Sequence, residues 1–171
     1  MSARAEKKTS RRDMSASQRY FQGVARARYT MRKVTRVVDE QARRNGIEPL
    51  EHQALIQIHG ADGGETMVNV VADQLDVAPA FASRVVDKLV KSGLVDRAQS
   101  DADRRVKRLW ATPEGIILLE RIDKDVQLHL AYFQHSLTPE QRQSALGIFG
   151  FYVGCQPGDV VPPPGLQSTG T

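Results

Sequence analysis

The sequence has few of the residues and motifs that mark secreted, membrane-bound or catalytic proteins. Its single cysteine, Cys155, excludes an internal disulfide framework, so we expect a reducing compartment, the cytoplasm. No apolar run is long enough to cross a bilayer and no signal-peptide core is present, so no membrane partner is expected. The G-x-S-x-G, H-E-x-x-H and dinucleotide-binding patterns are also missing, so the sequence predicts no enzyme, no catalytic residue and no cofactor.

Candidate metal ligands are scarce as well. The four histidines fall in pairs on two predicted helices, His52 with His59 and His129 with His135. Neither spacing is typical of a metal site, and no cysteine lies near them. We therefore expect no metal and interpret the histidines as partly buried polar residues.

Positive charge is what the chain has in excess. The net charge is +4, which favours a polyanionic partner. Residues 1–14 combine five basic residues with almost no apolar ones, so they predict a disordered arm that either contacts phosphates or serves solubility. Residues 154–171 are rich in proline and glycine and predict a disordered tail.

The centre of the chain predicts a helix, a tight turn and a second helix. Apolar residues recur at helical spacing in two neighbouring stretches: Val68, Val71 and Leu75, then Ala82, Val85, Val86 and Leu89. Residues 76–78 leave room only for a turn, and Pro79 suits the first position of the second helix. Gly93 suits the left-handed residue that follows a last helical turn, so the second helix is predicted at Pro79–Ser92.

The second of these helices has a small and polar face beside its apolar stripe. That face and its N-terminal edge contain Ala80, Phe81, Ser83, Arg84, Asp87, Lys88 and Lys91. Small residues at the N-terminal end and cations along the length would let the helix lie in a DNA major groove. An ordinary solvated face is the alternative for a charged helix taken alone.

A basic β-hairpin is predicted directly after this helix, from the alternating segments Leu94–Gln99 and Val106–Thr112. In the loop between them, an ion pair between Asp103 and Arg105 would leave a positive edge that includes Arg104. An arginine at a hairpin tip is a common probe of a narrow minor groove. The predicted DNA-binding residues are therefore Ala80, Phe81, Ser83, Arg84, Lys88, Asp103, Arg104 and Arg105.

The segments ASRVVDKLVKSGLVDR and SDADRRVKRLWATPEG resemble the core signature of the MarR (multiple-antibiotic-resistance regulator) family. The matching positions are Ser83, Arg84, Asp87, Leu89, Gly93, Leu94, Val95, Arg97, Asp103, Arg105, Leu109, Thr112 and Gly115. The resemblance extends over most of the chain, and it departs from the family pattern at Trp110 and Ala111. It implies a mainly α fold with a small β-hairpin wing: a winged helix-turn-helix with N- and C-terminal dimerisation helices.

The flanking helices have more apolar surface than a winged domain needs. Residues 15–48 are predicted to form a dimerisation helix, 49–112 the winged helix-turn-helix domain, and 113–153 two C-terminal dimerisation helices. A 3,4-spaced apolar seam follows the first helix: Val24, Ala27, Met31, Val34 and Val38. We expect no groove for Val34 and Val38 in the winged core, so the seam predicts a homodimer.

The resemblance also implies a small-molecule effector, an aromatic carboxylate or a phenol, between the first helix and the winged domain. A carboxylate needs a charged donor, and Arg26 best matches the position where relatives place an arginine. Tyr29 and His52 are its expected neighbours, while a solvent-facing place on a basic helix is the alternative for Arg26. Peroxide-sensing relatives have a cysteine at the start of the first helix, whereas Cys155 lies in the tail, so redox sensing is not expected.

Together these features predict a homodimeric, cytoplasmic transcriptional regulator with a double-stranded DNA operator as its partner. The operator would be pseudo-palindromic, and the protein would act as a repressor that a small ligand releases. The alternative is a winged-helix protein-interaction module without sequence-specific DNA binding. A gel shift separates the two, because a scaffold would give only weak and fully salt-sensitive binding.

Overall fold

The computed structural model describes residues 15–99, 107–135 and 137–154. Within them the chain forms six α-helices and one small sheet, which confirms the predicted mainly helical fold with a winged helix-turn-helix. The helices are α1 (Ala16–Arg44), α2 (Pro49–His59), α3 (Val68–Gln74), α4 (Pro79–Lys91), α5 (Pro113–His135) and α6 (Pro139–Val153). The strands are β1 (Thr66–Met67), β2 (Val95–Gln99) and β3 (Lys107–Ala111).

Some predicted features lie outside the described residues. They are the arm at 1–14, the tail from Cys155 onward, and the wing loop with Asp103, Arg104 and Arg105. The predictions for these segments stay predictions. The functional division into residues 15–48, 49–112 and 113–153 also stays one, because it concerns what the segments do.

The chain divides into two compact units. The first comprises Met1–Met31 and Leu137–Thr171, and the second Arg32–Ser136. The first unit therefore contains the start of α1 and all of α6. The second contains the end of α1, helices α2 to α5 and the sheet.

Local sequence signals account for most helix ends. At the start of α1, the Gln18 amide donates to Ser15 Oγ at 3.1 Å while the Ser15 amide donates to Gln18 Oε1 at 3.2 Å. The same reciprocal capping joins Thr138 and Gln141 at the start of α6. Proline occupies the first position of α2, α4, α5 and α6, where its missing N–H leaves no hydrogen bond unmade.

The turn between α3 and α4 depends on a backbone conformation that few residues adopt. Asp76 lies there with φ of 52°, the one non-glycine residue in the described ranges with a left-handed backbone. Aspartate tolerates this region better than most residues. The next amide, Val77 N–H, donates to Ala72 O at 3.0 Å and closes the end of α3. The chain thus changes direction within three residues, as the sequence predicts.

The wing is a three-stranded antiparallel sheet in the order β1-β3-β2, one strand more than the predicted hairpin. Strands β2 and β3 pair with Val95 opposite Ala111 and Gln99 opposite Lys107. The unpredicted β1 adds Thr66 opposite Leu109 on the other edge of β3. A two-residue strand is too short for an alternating pattern, so periodicity cannot reveal it.

The hydrophobic core of the second unit lies between α2, α3, α4, the sheet and α5. Its most deeply buried side chains include Leu55, Ile58, Val71, Val86, Leu89, Val95, Leu109 and Ile122. Val38 of α1 packs against this core. The expectation that the winged core offers Val38 no groove is therefore wrong: the end of α1 is part of the domain that α2 to α5 build.

Candidate nucleic-acid interface and ligand cavity

Helix α4 is buried on one face and exposed on the other. Ala82, Val85, Val86 and Leu89 are the buried residues, as the apolar stripe predicts. Among the predicted DNA-contacting residues, Ala80, Phe81, Arg84 and Lys88 are exposed, and Ser83 is half-buried. The core therefore fixes the helix while leaving its predicted groove face accessible.

Phe81 and Arg84 form a pair on the exposed face of α4. The Arg84 guanidinium carbon lies 5.2 Å from the centroid of the Phe81 ring, a cation–π distance. The ring is itself 41% exposed. The contact places an apolar surface beside the guanidinium of Arg84, which is itself exposed.

Asp87 and Arg97 connect α4 to the wing. Arg97 Nη1 of β2 donates to Asp87 Oδ1 at 2.5 Å. Both side chains are about two-fifths exposed, so the pair contributes about 1 kcal/mol or less to stability. Its main consequence is geometric, because it joins the first wing strand, β2, to α4.

Lys88, a predicted DNA-binding residue, already has an anionic partner within the protein. Its ammonium lies 3.0 Å from Glu51 Oε1 of α2. The Lys88 side chain is 66% exposed and that of Glu51 only 17% exposed, so the lysine extends from the surface toward a half-sheltered carboxylate. A DNA phosphate would have to compete with Glu51 for this cation.

A third ion pair lies in the wing. Arg108 Nη1 of β3 donates to Glu65 Oε2 at 2.6 Å, immediately before the short strand β1. Arg108 pairs with Met67 on one side and with Ala98 on the other, so it occupies the centre of the sheet. The pair thus stabilises the attachment of β1 to the wing.

The junction between α4, the wing and α5 explains three positions of the family signature. Gly93 follows α4 with φ of 70°, and the next amide, Leu94 N–H, donates to Leu89 O at 3.0 Å. Thr112 Oγ1 donates to Gly93 O at 2.7 Å and accepts from the Gly115 amide at 3.1 Å. A Cβ on Gly115 would lie 2.3 Å from Leu94 O, so only glycine fits there.

A cavity of about 400 Å³ lies in the second unit, between the end of α1, α2 and α5. Its volume falls within the usual range of small-molecule sites. The apolar lining comes from Val38, Ile56, Leu119, Ile122 and Val126. The polar lining comes from His52, His59, Glu120 and Asp123.

His52 is the buried polar residue of this cavity. Its side chain is 4% exposed, and Nδ1 has no hydrogen-bond partner among the described residues. Burial lowers the pKa of His52 below its ordinary value, although the carboxylates of Asp39 and Asp123 act in the opposite direction. The imidazole is therefore neutral at neutral pH and presents an unsatisfied ring nitrogen.

The three predicted effector residues divide between the two units. His52 lines the cavity of the second unit, as just described. Arg26 and Tyr29 belong to the first unit, where Arg26 is half-buried and Tyr29 is exposed. An effector role for Arg26 and Tyr29 stays a prediction.

Within residues 15–99, 107–135 and 137–154, no group of three or more histidine, cysteine, aspartate or glutamate side chains is arranged to hold a metal ion. In the same ranges, no helix combines the length and apolarity needed to cross a membrane.

Sequence reasoning missed the partners of the cationic residues. Asp87 lies on the predicted groove face and Arg97 in the predicted wing, but their ion pair depends on how β2 folds back along α4. Glu51 and Glu65 lie far along the chain from Lys88 and Arg108, so the sequence does not indicate them as partners. No local signal identifies such pairs, since each joins elements that only the tertiary fold brings together.

Comparison with known proteins identifies the same family as the signature. The MarR family model matches residues 45–106. The uncharacterized HTH-type transcriptional regulator YhbI of Bacillus subtilis is 35% identical over 75 residues, 44% of this chain and 47% of that protein. The HTH-type transcriptional repressor MdtR of the same organism is 27% identical over 109 residues, 64% of this chain and 69% of that one.

The match to YhbI thus spans about half the length of that relative. Among solved structures, a variant of Staphylococcus aureus MepR bound to an oligodeoxyribonucleotide has a TM-score of 0.57 at 16% identity, over 74% of this chain and 92% of that one. At this identity the likeness shows a shared fold. Residues 45–106 thus match the MarR family of winged helix-turn-helix transcriptional regulators, and the relatives that the chain resembles are transcriptional regulators rather than enzymes.

Proposed function

We propose that the protein is a homodimeric repressor that binds a pseudo-palindromic DNA operator and is released from it by a small ligand. The observation that carries the DNA-binding part is the two-sided character of α4. Its apolar face is buried in the core, while Phe81, Arg84 and Lys88 stand exposed on the other side. A helix fixed in this way can enter a major groove without rearrangement of the domain.

The wing supports the same proposal. Lys107 and Arg108 are exposed on β3, and the loop that follows β2 contains Arg104 and Arg105 in the sequence. Cations on a hairpin next to a recognition helix can contact the backbone and the minor groove that flank the major-groove site. Two copies related by a two-fold axis would read half-sites about one helical turn, roughly 34 Å, apart.

The relatives agree with this reading in what their names state. MdtR is named a transcriptional repressor, and the MepR variant was solved bound to an oligodeoxyribonucleotide. Repression and operator binding by this chain are inferred from that likeness together with the exposed face of α4.

Ligand release has a structural route through α2. His52 of this helix lines the cavity, and the preceding residue, Glu51, pairs with Lys88 on the recognition helix. A ligand that moves α2 so that Glu51 holds Lys88 more tightly would withdraw this cation from a DNA contact. Such a ligand shifts the equilibrium only by its differential affinity for the DNA-binding and released forms.

The test is the substitution Arg84→Ala, measured on an operator selected from random DNA fragments. Loss of a base or phosphate contact should weaken operator binding by about 1–3 kcal/mol, while thermal stability stays near that of the wild type. Arg121→Ala removes an exposed arginine from α5 and serves as the control for the lost charge.

Two results would count against the proposal. Equal operator affinity in Arg84→Ala and the wild type would remove Arg84 from the reading surface. Selection that returns no preferred sequence, with binding that vanishes as salt rises, would favour the protein-interaction module instead.

A further inference from the structure

The cavity between α1, α2 and α5 is negatively biased. Its charged lining residues are the carboxylates of Glu120 and Asp123, both exposed at the rim. No lysine or arginine is among the cavity's lining residues in the part of the chain that the structure describes. A bound carboxylate would meet two like charges and no charged donor, and this repulsion disfavours it.

His52 does not offset the negative charge of the cavity lining. Its imidazole is buried and held neutral, so it brings no positive charge that an anion could pair with. It does bring Nδ1, a ring nitrogen that is buried without a partner among the described residues. A buried polar atom that lacks a partner costs free energy, which a ligand able to hydrogen-bond with it would recover.

We propose that the cavity binds an apolar cation, an aromatic or aliphatic body with a protonated amine, and this rests on the proposed ligand-released regulator. The apolar body packs on Val38, Ile56 and Val126, and the ammonium pairs with Asp123 at the rim. His52 lines the same cavity, and in the tautomer that leaves Nδ1 unprotonated this nitrogen is the acceptor that an ammonium N–H would use. This class differs from the aromatic acid or phenol that the family resemblance implies.

The size of the cavity sets the scale of the ligand. About 400 Å³ accommodates a body of two fused rings with a short polar arm. Three naphthalene derivatives therefore test the charge requirement with one apolar body: 2-naphthylmethylamine as the cation, 2-naphthylmethanol as the neutral donor and 2-naphthoate as the anion.

The experiment is isothermal titration calorimetry of the full chain with each of the three compounds, without DNA. The amine should bind about tenfold or more tightly than 2-naphthoate, with the alcohol between them. Asp123→Asn should reduce the affinity for the amine about tenfold while leaving that for the alcohol near the wild-type value. Glu114→Gln removes a carboxylate from the same helix outside the cavity, and it should leave all three affinities unchanged.

The outcomes separate this proposal from the proposed function. Tighter binding of 2-naphthoate, an amine affinity indifferent to Asp123→Asn, or no amine binding up to millimolar concentration would each overturn the cationic site. Since the titration needs no DNA, amine binding by a protein that selects no operator would leave the site standing and reject the repressor. Operator binding without amine binding would support the repressor and reject the cationic site.

Discussion

Gly115 is the residue at which the packing leaves least room for a side chain. A Cβ there would lie 2.3 Å from the carbonyl oxygen of Leu94 and 3.3 Å from Cδ1 of Leu55. Gly115→Ala should therefore push the start of α5 away from the wing and destabilise the protein by about 1–3 kcal/mol, measured by urea unfolding.

Gly147 provides the matched control for that substitution. It lies inside α6, and a Cβ built on it meets nothing within 4 Å. Gly147→Ala should therefore stabilise the helix slightly, by about 0.5–1 kcal/mol. If both substitutions change stability in the same direction and to the same extent, steric crowding at Leu94 is not the cause.

His52 predicts a pH dependence of stability. Burial holds its folded-state pKa below the ordinary 6.5, against the opposing effect of Asp39 and Asp123. Between 6.5 and that lower pKa the unfolded chain binds a proton that the folded protein does not. This contribution to stability is thus complete above pH 6.5 and is lost as the pH falls through that window.

Chemical unfolding at pH 7.5 and at pH 5.5 tests this dependence. His52→Gln should lose less stability than the wild type over that interval, whatever its absolute stability. His59→Gln removes an exposed imidazole from the same helix and serves as the control. An identical loss in His52→Gln and the wild type would show that other groups determine the acid sensitivity.

Among the contacts between elements, the ion pair of Lys88 on α4 with Glu51 on α2 competes with any contact that Lys88 makes to DNA. Glu51→Gln keeps the reciprocal capping at the start of α2, because glutamine can also accept from the Glu48 amide. The substitution frees Lys88 for a phosphate, so operator affinity at low salt should rise up to about fivefold. The plot of log association constant against log salt concentration should become steeper by about 0.9, the slope expected for one additional phosphate contact. Fluorescence anisotropy over a salt series measures both.

Glu40→Gln is the control for that experiment. It breaks an ion pair with Arg36 on α1 at 3.7 Å, in which the carboxylate is more exposed than that of Glu51, and it changes the net charge by the same amount. An equal gain in affinity in the two variants would mean that net charge, not release of Lys88, is responsible.

The elements themselves were predicted well, because their signals are local. Periodicity and the flanking Pro79 and Gly93 give α4 to within one residue, and Gly93 and Thr112 mark the ends of the wing. What escaped prediction depends on distant parts of the chain: strand β1, the pairing of Lys88 with Glu51, and the packing of Val38 on the core. The proposed DNA-contacting roles rest on the exposed face of α4. The sequence predicts this face because the apolar stripe identifies the opposite face as buried.

The first unit exposes several large apolar side chains. Phe21 is 63% exposed, and Leu146 and Phe149 of α6 are 68% and 48% exposed. Large apolar side chains left exposed together on one helix, as Leu146 and Phe149 are on α6, are typical of an interface between copies. We infer that α6 contributes to the proposed homodimer.

Replacing Leu146 and Phe149 together by glutamine should therefore convert the protein to a monomer at micromolar concentration, as sedimentation velocity would show. Circular dichroism should still report a folded, helical chain, because neither side chain belongs to the core of the second unit. Operator affinity should fall roughly a hundredfold or more, because two linked half-sites bind with an avidity that a single recognition helix cannot reach.

Gln143→Ala alters an exposed polar residue on the same helix and should leave both sedimentation and operator affinity unchanged. The operator supplies a second control, since a fragment with one half-site should bind the double variant and the wild type with similar affinity. That equality follows if the variant keeps its recognition helix and loses only its partner. A dimeric double variant, or a double variant that binds the complete operator as tightly as the wild type, would place the dimer interface away from α6.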